Sequence, residues 1–161
     1  MNWQTPDLDA RGLSVALVAS RFNHLISIRL VEGAQAVLLE RGLDPGDLHL
    51  FWVPGAFEIP QAARRLAESG RFDAIVTLGS VIRGGTPHFD YVCRGVTDGV
   101  REVMRTTNVP VAFGVLTTDD IDQAIARAGG SDGNKGGEVA LAAVEMARLF
   151  RSIGAGARAS A

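Results

Sequence analysis

The chain has 161 residues, of which 47% are hydrophobic and 21% charged, with a formal net charge of −2. This is the composition of a globular domain with material for one core, and it lacks the basic excess of a general nucleic-acid binder. Its one cysteine, Cys93, excludes an internal disulfide and any CxxC metal or redox pair, and fits a reducing, cytoplasmic setting.

The opening MNWQTPDLDARG has no apolar stretch of the signal-peptide kind, so residues 1–12 are expected to form an N-terminal arm rather than a leader. No apolar run reaches the ~18 residues of a membrane span. SVALVAS (Ser14–Ser20) is a short apolar run of the buried-strand kind. From Asn23 to Arg41, Ile26, Leu30, Ala34, Val37 and Leu38 recur at helical spacing. The turn cluster GLDPGD leads to a second strand, Leu48–Val53, which Pro54-Gly55 ends. A helix is predicted over Glu58–Ser69 and a third strand over Ala74–Ser80. The next helix is expected from Phe89 to Thr106, with a Val92, Val96, Val100, Val103 stripe. Pro110 precedes a fourth strand, Val111–Leu116. Thr117-Thr118-Asp119-Asp120 has capping-box spacing and predicts a short helix to Ala128. Gly129–Gly137 reads as a loop. A last helix is expected to end near Arg151, leaving a mobile tail over 154–161 and a core over 13–151 of a single domain.

Strand–helix alternation repeated four times predicts an α/β fold: a flavodoxin-like, doubly wound, four-stranded parallel sheet with helices on both faces. An eight-unit barrel needs ~200 residues or more, beyond this length. Ligands of such sheets bind past the carboxyl ends of the strands. The segments there are Arg21-Phe22-Asn23, Pro54 to Pro60, Arg83 to His88 and Thr117-Thr118, and they carry the unusual chemistry.

His88 stands in a Gly84-Gly85-Thr86-Pro87 turn at a helix start. It is either an idle surface histidine or a proton-transfer group, a task suited to the ~6.5 pKa of imidazole. The glycines let backbone N–H groups approach a ligand, and the positive end of the helix favours an anion beside the imidazole. Phe22 and Phe57 lie just past strand ends, where they could pack in the core or stack on a planar heterocycle. Phe113, inside the fourth strand, reads as core from pattern alone. Glu58 sits where it could cap the second helix. Arg127, before the Gly-rich loop, either caps its own helix or clamps a phosphate, and Lys135 carries the same ambiguity. Gly95 and Gly99 allow close helix approach, within the domain or against another subunit. The histidines, His24, His49 and His88, lack helical metal spacing. No GxGxxG follows the first strand, GGSDGNKGG is not a P-loop, and no G-x-S-x-G elbow occurs.

Taken together, RFN, VPGAFEIP, GSVIRGGTPHFDYVC, FGVLTT, QAIARAG and NKGGEVALAAVEMA resemble the lumazine synthase family of riboflavin biosynthesis, over about Leu13 to Phe150. The resemblance implies a transferase condensing 5-amino-6-(D-ribitylamino)uracil with 3,4-dihydroxy-2-butanone 4-phosphate, with no metal or organic cofactor. By similarity His88 moves protons. Phe22, Ala56, Phe57, Glu58, Ser80, Val81 and Ile82 hold the pyrimidine substrate, while Gly85 and Thr86 bind the phosphate substrate. Phe113 and Arg127 come from the adjacent subunit, closing the pyrimidine pocket and clamping phosphate, with Lys135 near that phosphate. The family forms pentamers, in many members a sixty-subunit icosahedral capsid that could enclose riboflavin synthase as a partner. The short loop before the last helix is compatible with such a shell. Gly85 holds a position that often carries a side chain. Two other readings use the same scaffold: a flavin or lumazine carrier, against which the Arg127–His88 pair speaks, and a purely structural shell.

Overall fold

The computed structural model describes residues 1, 3 and 5–158. Its frame is a four-stranded parallel sheet in the order β2-β1-β3-β4, formed by β1 (Val15–Ser20), β2 (Leu48–Val53), β3 (Ala74–Ile82) and β4 (Val111–Thr118). The helices are α1 (His24–Glu40), α2 (Ile59–Glu68), α3 (His88–Thr106), α4 (Ile121–Arg127) and α5 (Lys135–Arg158). The fold is the flavodoxin-like α/β arrangement that the strand–helix alternation predicts.

Every residue of β1 is buried, and β3 is buried over all but its last residue. Period-two alternation divides these residues between two cores. Val15, Leu17 and Ala19, with Ala74, Val76 and Leu78, meet Leu30, Ala34 and Leu38 of α1 and Ala140, Ala143, Val144 and Ala147 of α5. Ala16, Val18 and Ile75 face the other way, onto Ile59 and Ala63 of α2 and Val96, Val100 and Val103 of α3. Helices α1 and α5 pack closely because Gly136 lies against the backbone of Leu30, where a methyl group would collide with the Leu30 carbonyl. The N-terminal arm is tied to the same layer. Arg148 donates from Nε to Asp9 O at 2.6 Å, and Arg151 donates to Gly12 O at 3.0 Å and Asp73 Oδ1 at 2.8 Å.

The carboxyl half of the chain departs from expectation in four places. Ala128, expected to end the short helix, and residues 129–130 and 133–134, expected as open loop, form a small antiparallel hairpin, β5 (Ala128–Gly130) and β6 (Gly133–Asn134). Lys135, Gly136 and Gly137 already belong to α5, because Asn134 Oδ1 accepts the Gly136 and Gly137 N–H groups as a cap. Thr117 and Thr118 stay in β4, and α4 is capped instead by Asp120, which accepts the Gln123 N–H at 2.8 Å. Finally, α5 runs to Arg158 rather than ending near Arg151, so the expected mobile tail is helical over 154–158; residues 159–161 lie outside the described residues.

Gly95 and Gly99 of α3 resolve as packing within the domain. Side chains added there would meet the ring of Phe57 and the ring of Pro60.

Candidate active site

Chain direction and strand order place one crevice between β1 and β3. The connection from β1 to β2 runs through α1 on one face, and that from β2 to β3 returns through α2 on the other. The loops after β1 and β3 therefore diverge, leaving the gap in which doubly wound sheets bind ligands. A cavity of about 700 Å³ opens there, lined by residues following β1 (Phe22, Asn23) and β2 (Gly55 to Glu58), by the end of β3 (Ser80 to Ile82) and the turn after it (Gly84, Thr86), and by the start of α3 (His88, Phe89, Tyr91, Val92). Of the sequence-predicted residues, Phe22, Ala56, Phe57, Glu58, Ser80, Val81, Ile82, Thr86 and His88 are thus brought together. Gly85 is exposed in the same turn but does not line the cavity.

Phe22 and Phe57 are not core residues: they are 72% and 61% exposed at the cavity. Local backbone geometry holds both. Phe22 N–H donates to Pro54 O at 3.0 Å, joining the loops after β1 and β2. Asn23 takes a left-handed conformation, φ 58°, and donates from Nδ2 to Ser80 O at 2.8 Å, fastening the Phe22 loop to the end of β3. Glu58 folds back, its Oε2 accepting the Gly55 N–H at 2.9 Å, so the expected capping role operates on the 3₁₀ turn Ala56–Glu58. Ser80 is buried, and its Oγ has no hydrogen-bond partner among the described residues. A ligand polar group reaching the cavity floor would meet that need.

His88 opens α3 and is exposed, with Pro87 as the preceding cap. The aligned peptide dipoles of α3 put their positive end at this end of the cavity. A methyl group added at Gly84 or Gly85 would meet no atom within 4 Å, and neither glycine is among those with positive φ. The chain's own packing therefore does not require glycine at either position, whereas close approach of a ligand to the turn would.

Three predicted residues lie apart from this cavity. Phe113 sits on edge strand β4 and is 37% exposed, which corrects the core assignment that the pattern suggested. Arg127 donates from Nη1 to Gln123 O at 2.9 Å and pairs with Asp132 at 3.4 Å, so within one chain it caps α4. Lys135 pairs with Glu138 at 2.6 Å. Conversely, the cavity gains Asn23, Gly55, Phe89, Tyr91 and Val92. Tyr91 and Val92 follow His88 by one helical turn, a spacing that marks a shared face once the helix start is fixed.

Among the described residues, no group of three or more His, Cys, Asp or Glu side chains could hold a metal ion. Nor, among those residues, is any helix long and apolar enough to cross a membrane. The sequence model of the 6,7-dimethyl-8-ribityllumazine synthase family matches residues 12–151, covering all four strands, the cavity and most of α5. The chain belongs to the 6,7-dimethyl-8-ribityllumazine synthase family, and with it to riboflavin biosynthesis and to transferases that act on small molecules and assemble from like subunits.

Proposed function

We propose that the chain condenses 5-amino-6-(D-ribitylamino)uracil with 3,4-dihydroxy-2-butanone 4-phosphate, forming 6,7-dimethyl-8-ribityllumazine and releasing phosphate and water, in the cytoplasm and without a cofactor. The observation that carries this reading is the meeting, in one cavity, of exposed Phe22 and Phe57 with His88 and the Gly84–Thr86 turn. The aromatics suit a planar pyrimidine, and the turn and helix end suit a phosphate.

In this reading Phe22 stacks on the pyrimidine. Ala56, Phe57, Glu58, Ser80, Val81 and Ile82 hold its edge and the ribityl chain. Gly85 and Thr86 receive the phosphate of the butanone. The substrate amine attacks the ketone and water leaves to give an imine; a proton is taken from the adjacent carbinol carbon as phosphate is eliminated, the resulting enol tautomerises to a new ketone, and the ribityl-bearing nitrogen attacks that ketone with loss of a second water, closing the ring. Each step moves a proton, and His88 moves it between nitrogen, carbon and oxygen. Phe113 and Arg127 act on the cavity of an adjacent subunit in a pentamer-based homo-oligomer, with Lys135 near the phosphate. The exposure of Phe113 on an edge strand supports that assignment, since its own chain leaves more than a third of it uncovered. The ion pair of Arg127 with Asp132 is exposed on both sides, so it is weak enough to be exchanged for a phosphate.

Mixing the protein with both substrates tests the reading. Lumazine fluorescence should appear only when both are present; binding of a preformed lumazine without turnover would instead mark a carrier. Sedimentation should give a species of at least five subunits, and an active monomer would contradict the shared site.

A further inference from the structure

We propose that Gly95 is a positioning residue for Phe57, and through that ring a determinant of how the cavity accepts the pyrimidine; this rests on the pyrimidine reading given above. Phe57 belongs to a one-turn 3₁₀ helix, and its ring is 61% exposed, so no core packing fixes it. What the ring does touch is α3, at Gly95, one of the two positions where that helix carries no side chain. A Cβ added at Gly95 would clash with the edge of the Phe57 ring, closest to Cε2, 2.9 Å from Cδ2 and 3.3 Å from Cζ. One turn further on, Pro60 fills the space over Gly99 in the same way, at 2.6 Å. The segment Phe57–Pro60 thus lies along a bare strip of α3.

That strip continues the cavity wall. His88, Val92, Gly95 and Gly99 follow one another at helical spacing, and the first two line the cavity. The Phe57 ring therefore rests two turns along the same face that presents the imidazole. Glycine inside a helix costs about 1 kcal/mol relative to alanine. Gly95 is not among the glycines with positive φ, so the backbone conformation does not call for it. The clearance it gives Phe57 does. A methyl group there would meet the far end of an exposed side chain, which can turn aside without disturbing the core. The fold should survive, and the ring should move.

The test is steady-state kinetics of the assembled, full-length protein, with the pyrimidine varied at saturating butanone phosphate. For Gly95→Ala we expect the pyrimidine KM to rise about 5- to 20-fold with kcat nearly unchanged, the pattern of lost ground-state positioning. The KM for butanone phosphate should stay constant, and the melting temperature should hold or rise. Phe57→Ala should raise the same KM, and adding Gly95→Ala to it should change nothing more. An unaltered pyrimidine KM in Gly95→Ala would overturn the proposal. So would a change that persists in the Phe57→Ala background, or a loss of folding that Phe57→Ala fails to rescue. A wild-type protein that forms no lumazine would remove the pyrimidine reading and this inference together; an active wild type with an indifferent Gly95→Ala variant removes the inference alone.

Discussion

The guanidinium of Arg83 donates from Nε to Asp119 Oδ1 at 2.8 Å while lying 4.2 Å from the centroid of the Phe89 ring. Arg83 begins the glycine turn, Asp119 follows β4, and Phe89 stands in the first turn of α3. One side chain thus joins the glycine turn, the end of β4 and the start of α3. Asp119, and with it Asp90, holds the Arg83 pKa above its ordinary value, so it stays charged throughout the working range. These contacts are exposed, and each contributes only weakly. Arg83→Met should lower stability slightly, and the loss should shrink in molar salt. Urea denaturation at low and high salt measures both; a salt-independent loss would point to packing of the alkyl stem instead.

Replacing His88 by Ala should lower kcat by about 10²-fold or more, the usual worth of a positioned acid–base group. Both substrates must be saturating for the comparison. An unchanged kcat would remove the imidazole from proton transfer.

For Arg127→Ala the expected change is a higher KM for butanone phosphate, with pyrimidine affinity little altered. Because Arg127 bonds only to its own helix end and Asp132 within one chain, folding of the protomer should be nearly unaffected. Titration of each substrate separately decides it, and a loss confined to the pyrimidine would refute the clamp.

Gly136→Ala should behave unlike Gly95→Ala. The added methyl would collide with the Leu30 carbonyl, a backbone group fixed in α1, so α1 and α5 must separate. A loss of about 3 kcal/mol or more is expected, at the upper end of overpacking effects. Thermal melting of the two variants side by side should show the contrast.

Burial pushes the Cys93 thiol pKa up, with Asp90 adding to the effect. A raised pKa means less thiolate at any given pH below it, and the thiolate is the reactive form. Alkylation at pH 7 should therefore run slower than for a free cysteine peptide and accelerate only at more alkaline pH. Reaction as fast as the peptide would show the thiol to be open.

The four strands were legible because each is a short apolar run closed by a glycine, a proline or a charge. The same periodicity located α1, α2 and α3. The segment after β4 was less legible. Asn134 decides where α5 begins, by accepting two backbone N–H groups across Lys135 and Gly136, and a run of glycines hides that signal. Period-two pattern also misjudged Phe113. Its parity matches the buried Val111 and Val115, but β4 is an edge strand, and burial there depends on what lies beyond the chain. At the site, Phe22, Phe57 and His88 could be read from their positions after strands. Asn23 could not, since its part comes from a left-handed backbone and a bond to a residue 57 positions away.

The layer formed by α1 and α5 has a consequence for biosynthesis. Leu30, Ala34 and Leu38 are covered by Ala140, Ala143, Val144 and Ala147, from the opposite end of the chain. As the polypeptide leaves the ribosome, α1 emerges early, and β1 and β3 can cover part of its apolar side, but the part that α5 covers stays exposed until α5 has been made. The sheet can begin to assemble on the α2 and α3 side first, but the domain closes only after release of the last helix. A nascent chain stalled before Lys135 would present that uncovered side to chaperones or to its neighbours on the polysome.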